Sequence, residues 1–179
     1  IFDGETLVEK QGKEKQEVMS YIKHLVKSYP KLTHCILSSV GALSKEEIAA
    51  LEQSFLVHVL SYQSIIPFVN QYKTPTTLGV DRIALIAAAA IKFPEQNVLV
   101  IDAGSAITYD FLTTHNQYLG GAIAPGLAMR YKSLHTFTEN LPLLEKTVAF
   151  SMIGDSTECA MHSGVIPVPY PPLTLPPTH

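Results

Sequence analysis

"LVIDAGSAITYDFL" (Leu99–Leu112) drives an almost wholly apolar strand into an aspartate, follows it with Ala-Gly-Ser-Ala, and then begins a second strand. Two readings compete. Either this is a tight hairpin turn, or it is a place where backbone and carboxylate meet a phosphate and its metal. A carboxylate just past the end of a buried strand is desolvated on one side, which is costly unless a cation or donors face it. Gly104 permits positive φ and leaves no side chain between a ligand and the backbone, so the N–H groups around Ala103 to Ala106 can converge on anionic oxygens. Ser105 adds a hydroxyl. From these residues alone both readings stay open.

Working outward, Ile1 to Glu9 reads as a strand pair turning at Asp3-Gly4, and a strand that starts at residue 1 is expected to have lost its beginning. Val18, Ile22, Leu25, Val26 and Tyr29 recur at helical spacing, which predicts a helix from Lys13 to Tyr29, stopped by Pro30. "THCILSSV" predicts a buried strand. Ser44 with Glu47 three residues on is a capping-box signature that starts a helix through about Gln53. "FLVHVLS" predicts a strand, "QYKTPTTLG" a loop, and Val80 to Phe93 a strongly buried, alanine-rich helix. Beyond the opening stretch come a turn at His115-Asn116, the strand "YLGGAIA", a helix opened by Pro125, and a last helix near Asp155-Ser156. This order argues an α/β architecture. A break near Pro94-Glu95 divides the expected domains into 1–95 and 96–166. Six of the last thirteen residues are proline, so 167–179 is expected to lie extended and loose.

Bulk properties narrow the function. The 179 residues are 46% apolar with a formal charge of -3 and interspersed signs. No basic face offers itself to a nucleic-acid backbone. Cys35 and Cys159 make neither a disulfide framework nor a zinc site, which fits a reducing, cytoplasmic setting. No apolar run approaches the roughly 20 residues of a membrane span, and the first residues lack the pattern of a signal peptide. The seven histidines form no HxH or HxxxH pair, so they read as surface or core residues.

Three further clusters carry possible chemistry. In "YKTPTTLGVDRIA", Tyr72 to Ala84, Gly79 breaks the chain, and Asp81 and Arg82 fall in the first turn of the alanine-rich helix. The helix dipole keeps an aspartate there ionised, as a base accepting a hydroxyl proton must be, and an arginine fork suits a carboxylate or phosphate. The alternative is a capping aspartate beside a solvated arginine. In "LGGAIAPGLAMR", Gly120-Gly121 weakens a strand unless backbone must approach something closely; plain strand-to-helix packing is the alternative. In "GDSTECAMHSG", Asp155, Ser156 or Thr157 can cap a helix.

Taken in order, the four clusters resemble the type III pantothenate kinase family, a branch of the superfamily that includes sugar kinases, actin and the Hsp70 ATPase domain. "ILSSV" resembles its second-strand segment. "YKTPTTLGVDR" is similar to its Tyr, Pro, Leu-Gly-x-Asp-Arg run, and "DAGSAITYDFL" to its Asp-x-Gly-Thr/Ser-Ala-x-Thr phosphate motif. "GGAIAPGL", "ENLP" and "GDSTECAMHSG" follow at fitting intervals, so the match runs from about Ile1 to Ile166. The resemblance implies ATP-dependent phosphorylation of pantothenate, the entry step to coenzyme A, on two ribonuclease-H-like lobes working as a homodimer. It makes Asp81 the general base and Arg82 the holder of the substrate carboxylate. Tyr72, Gly79 and the Gly120-Gly121 segment line the pantothenate pocket. Asp102, Gly104, Ser105 and Ala106 face the nucleotide phosphates, with Asp102 toward a metal; the implied cofactors are ATP, Mg2+ and a monovalent cation, K+ or NH4+. Thr157 reaches a neighbouring subunit's pocket.

The resemblance also implies a first strand ending in Asp-x-Gly-Asn, expected just upstream of Ile1, and a longer second lobe where this chain has its proline-rich tail. The reading requires Asp81 and Asp102 to serve one shared cleft. A non-catalytic binding or regulatory protein on the same scaffold is the alternative. An unrelated sugar-kinase-like or actin-like ATPase fits the phosphate loop but not the Leu-Gly-x-Asp-Arg run.

Overall fold

The computed structural model describes residues 1–39, 43–147 and 151–166. The expectation for 167–179 lies outside them. Two compact units emerge, one of Ile1–Ile65 with Thr74–Ala84, the other of Ile66–Lys73 with the described residues from Leu85 onward.

In the first unit, β1 (Phe2–Asp3) and β2 (Thr6–Leu7) pair antiparallel, turning through Gly4 at φ +56°. A single 3-10 turn at Lys15–Glu17 leads into α1 (Val18–Ser28). The β3 strand (His34–Leu37) lies parallel to β4 (Leu56–Val59). Between them, α2 (Lys45–Glu52) opens on the expected capping box. The Glu47 N–H donates to Ser44 Oγ at 3.1 Å and the Ser44 N–H to Glu47 Oε2 at 2.7 Å, which satisfies two helix-end donors reciprocally.

The β3 strand departs from the expected burial. Ile36 is 75% and Leu56 70% exposed. Parallel strands are ordinarily covered on both faces, but among the described residues β3 has β4 as its sole strand neighbour. An apolar cavity of about 550 Å³ lined by Ile22, Leu25, Cys35, Leu51 and Phe55 adds to the loose packing.

The second unit holds a four-stranded sheet in the order β5 (Val69–Asn70), β8 (Gln117–Pro125), β7 (Ala106–Leu112), β6 (Val98–Ala103). The first pair is parallel and the others antiparallel. A register shift between Phe111 and Leu112 sets Phe111 opposite Gly120 but Leu112 opposite Tyr118. Leu112, Tyr118 and Tyr131 are almost fully buried, with Phe68, Met161 and Val165 close behind. The expected alanine-rich helix is α3 (Val80–Lys92), and the division between units falls inside it. Then come α4 (Leu127–Thr136) and α5 (Thr157–Val165). Pro125 ends β8 rather than opening α4, whose N-cap is Gly126; its fixed φ suits a strand end equally well. Ser156 is the cap of α5, accepting from the Cys159 N–H at 3.2 Å. No described helix is long and apolar enough to cross a membrane.

One polar knot tethers the start of the chain. The hydroxyls of Tyr21 and Tyr29 both donate to the Glu9 carboxylate, the latter at 2.6 Å. These bonds, that from Tyr21 first, hold Glu9 below its ordinary 4.5 and push Tyr21 up to about 12 from 10. The tyrosine contribution to stability is therefore whole below pH 10 and fades as pH rises through about 12, whereas that of Glu9 is present above 4.5 and fades as pH falls through its lowered value. A tyrosinate absorbance titration should show one residue ionising near 12, returning toward the ordinary range in Glu9→Gln; an unchanged titration in that variant would dissolve the knot.

Candidate active site

The Leu78–Arg82 segment belongs to the first unit. Leu78 is buried and closes a 3-10 turn over Pro75–Thr77. The Ile83 N–H then donates to the Gly79 carbonyl at 3.1 Å, starting α3. Asp81 folds back so that its Oδ1 accepts from the Arg82 N–H at 2.9 Å. A Cβ on Gly79 would lie 2.4 Å from that oxygen. The glycine of the Leu-Gly-x-Asp-Arg run thus makes room for the carboxylate two residues later. Arg82 is only 6% exposed, which removes the alternative of a solvated arginine.

The opening question has a double answer, because "LVIDAGSAITYDFL" is a hairpin. Its last rung runs from the Gly104 N–H to the Ala106 carbonyl at 2.9 Å, with Ser105 at the apex. The apex is fastened by the Gly126 N–H, which donates to the Ser105 carbonyl at 3.0 Å. Asp102 sits within β6, not beyond its end, and is exposed; the strand continues one residue further than its apolar run suggested. Gly104 keeps an ordinary φ, and a Cβ there would meet nothing nearer than the Ala106 carbonyl at 3.8 Å. Neither the turn nor the packing demands a glycine at 104. Its absent side chain leaves Ala103 to Ala106 open to approach, as a ligand would need.

Asp102 is directly opposite Thr108 on β7, so the two side chains share a sheet face. Thr108 closes the same motif, and its buried Oγ1 has no hydrogen-bond partner among the described residues. Two positions on, Asp110 is fully buried and accepts from the Tyr118 hydroxyl at 2.7 Å. The Tyr118 ring stacks on Tyr72 at 6.1 Å between centroids and meets the edge of Phe68 at 5.9 Å. Gly120, at φ +110°, lays its Cα against the Tyr72 ring, where a Cβ would come within 3.4 Å. The expected proximity of Tyr72 to the glycine pair is therefore real for Gly120. Gly121 answers a different need: its Cβ would fall 1.6 Å from the Tyr109 carbonyl oxygen.

Two cavities flank these groups in the second unit. One of about 790 Å³ abuts the hairpin at Gly104 and Ile107 and is walled by Leu127, Tyr131, Lys132, Glu145 and Lys146, a size that suits a small molecule. The other, of about 590 Å³, lies between α4 and α5, with Thr157 beside Arg130, Leu134 and Met161. None of the other expected site residues lines it. Sequence reasoning missed Asp110 and Tyr118, although an aspartate inside the apolar strand "ITYDFL" is itself a signal. Lys132 and Lys146 gave none. No described group of three or more His, Cys, Asp or Glu side chains could hold a metal alone. The exposed Asp102 carboxylate beside an open hairpin does fit Mg2+, which takes one or two carboxylates and draws its remaining ligands from substrate phosphates and water.

The mixed α/β scaffold carries in its first unit an aspartate folded over a glycine at a helix start and in its second a bare hairpin beside a cavity of small-molecule size, the class of features found in enzymes acting on small molecules. The chain belongs to the type III pantothenate kinase family, whose model matches residues 1–168. It is similar to type III pantothenate kinases of Flavobacterium johnsoniae (45% identical over 93% of this chain and 68% of that protein), Christiangramia forsetii (48%, with the same coverage) and Phocaeicola vulgatus (41%, again 93% and 68%). It thus spans about two thirds of the length of these relatives. Among solved structures it resembles a conserved Campylobacter jejuni protein assigned to the Baf family of transcriptional activators, with a TM-score of 0.51 and 25% identity over 78% of this chain and 63% of that one.

Two substitutions separate function from folding here. Gly79→Ala displaces only the movable end of the Asp81 side chain, so the melting temperature should stay within about 2 °C while phosphorylation falls at least about tenfold; an unchanged rate would show that the folded-back carboxylate is immaterial. Thr108→Val removes a buried hydroxyl that has no partner among the described residues, and should stabilise the free chain by about 1 kcal/mol, measured by denaturant unfolding. A loss of stability instead would reveal a structural bond at that hydroxyl.

Proposed function

We propose that the chain carries the substrate-activating and phosphate-binding groups for ATP-dependent phosphorylation of pantothenate, the first step toward coenzyme A. The observation that carries this reading is the Leu78–Arg82 geometry, an ionisable carboxylate held at a helix start beside a buried arginine. Asp81 takes the proton from the primary hydroxyl of pantothenate, and Arg82 binds its carboxylate, the fork matching two oxygens. Tyr72 and Gly120, neighbours in the second unit, flank the substrate. The hairpin apex at Ser105 and Ala106 receives the nucleotide phosphates, with the side-chain-free Gly104 leaving room beside it, and the cavity walled by Leu127, Tyr131 and Lys132 takes the nucleoside. Asp102 would hold Mg2+ together with phosphate oxygens of the nucleotide, and Mg2+ with a monovalent cation, K+ or NH4+, would supply neutralisation of charge on the transferring oxygens. Phosphoryl transfer asks for alignment and charge neutralisation more than for covalent help, so a modest set of polar groups suffices.

Two ribonuclease-H-like lobes, 1–95 and 96–166, and a cytoplasmic homodimer in which Thr157 serves the neighbouring subunit's pocket complete the proposal. The α4–α5 cavity supports the last point, since a mostly apolar hollow that carries Thr157 and Ser133 beside Arg130 suits an incoming surface. The likeness to a structure assigned to transcriptional activators favours a second reading, a pantothenate-binding regulator without turnover.

In a coupled assay, ADP should appear only when ATP, Mg2+ and pantothenate are all present. Asp81→Asn keeps the acceptor for the Arg82 N–H, so it should fold normally while losing at least about 100-fold in rate, the lower range for a general base. Turnover within twofold of the parent would remove Asp81 from this role. Calorimetric binding of pantothenate with no ADP under any condition would favour the regulator.

A further inference from the structure

The deepest polar contact of the second unit has no part in the chemistry above. Asp110 and Tyr118 are both fully buried, and the Tyr118 hydroxyl donates to Asp110 Oδ1 at 2.7 Å. With no exposed surface, Tyr118 cannot touch a ligand. Its ring is nonetheless the floor on which Tyr72 lies, 6.1 Å between centroids and 24° between planes. Phe68 fixes the Tyr118 ring from the side, edge-on at 72°. The remaining restraints act on Tyr72 itself: its N–H donates to Asn70 Oδ1 at 2.9 Å, the preceding Gln71 N–H donates to the Tyr118 carbonyl at 2.9 Å, and the Cα of Gly120 borders its ring. The half-buried Tyr72 is thus held at floor, flank and backbone.

We infer that Tyr118 is a positioning residue for pantothenate recognition: anchored by Asp110, it fixes the orientation of the Tyr72 ring and thereby the affinity for the substrate. The inference rests on the reading that Tyr72 flanks pantothenate. A hydroxyl bonded to a carboxylate at the buried end stops the Tyr118 ring from sliding, and aromatic faces in offset contact transmit that constraint to the ring above. Pre-set geometry raises affinity because the ordering cost has been met before the ligand arrives.

The test titrates the full chain with pantothenate by calorimetry. Tyr72→Ala examines the underlying reading and should weaken binding at least tenfold. Tyr118→Phe keeps the ring and drops the hydroxyl, and should weaken binding three- to tenfold; Tyr118→Leu, which removes the floor, should weaken it more than tenfold. Leu51→Ala, a buried change on α2, serves as a control for stability loss alone and should leave affinity within twofold. In samples with carbon-13-labelled tyrosine, the Tyr72 ring resonance should broaden in Tyr118→Phe and move away from its stacked position in Tyr118→Leu. If Tyr72→Ala binds normally, or the parent chain does not bind, the reading of Tyr72 fails and the substrate role of Tyr118 falls with it. If Tyr72→Ala weakens binding but both Tyr118 variants bind as the parent does, or weaken no more than Leu51→Ala, the inference alone is overturned. Should Tyr118→Leu fail to fold, Tyr118→Phe and its Tyr72 resonance decide.

Discussion

A carboxylate with no access to water, Asp110 in the central strand of the four-stranded sheet, sets the terms for the second unit. Burying such a group is costly unless donors converge on it, and the Tyr118 hydroxyl is one that does. Meeting that demand fixes a large aromatic side chain inside the sheet's packing. The bulge that skips Leu119 sets Tyr118 opposite Leu112, and the same irregularity brings Gly120, with its left-handed φ, beneath Tyr72. One buried carboxyl group thus links strand register with the aromatic stacking of Tyr118 and Tyr72.

Much of the fold could be read from the chain because local signals agreed with one another. Ser44 and Glu47 formed both bonds of their box, Val80 to Lys92 became the alanine-rich helix, and Ser156 capped α5. Burial was harder to read. "THCILSSV" has the composition of a covered strand, yet exposure depends on what lies over a face, a long-range fact that periodicity does not record. The same limit hid Lys132 and Lys146, which meet the hairpin cavity through tertiary packing between segments far apart in sequence. Pro125 misled for a local reason, since its fixed dihedral serves a strand end as well as a helix start.

The candidate site was legible to the extent that its residues form short runs. Leu78 to Arg82 and Asp102 to Ala106 each stand within five positions, so spacing alone exposed them. Asp110 and Tyr118 are eight apart on adjacent strands, and their partnership appears once the register is known. The glycines divide along the same line. Gly79 yields to a nearby carboxylate, whereas Gly104 has no packing reason to be a glycine.

Gly121 has the opposite character. Its missing side chain is occupied by the carbonyl of Tyr109, in the middle of a strand paired on both sides. Every missense change of a glycine codon adds at least one carbon at that spot, and proline adds a ring besides. Drift at this codon therefore has no neutral amino-acid step. A lineage could leave it only by first rebuilding the strand beside it, so the position behaves as a fixed point of descent even though its reason is steric and not chemical.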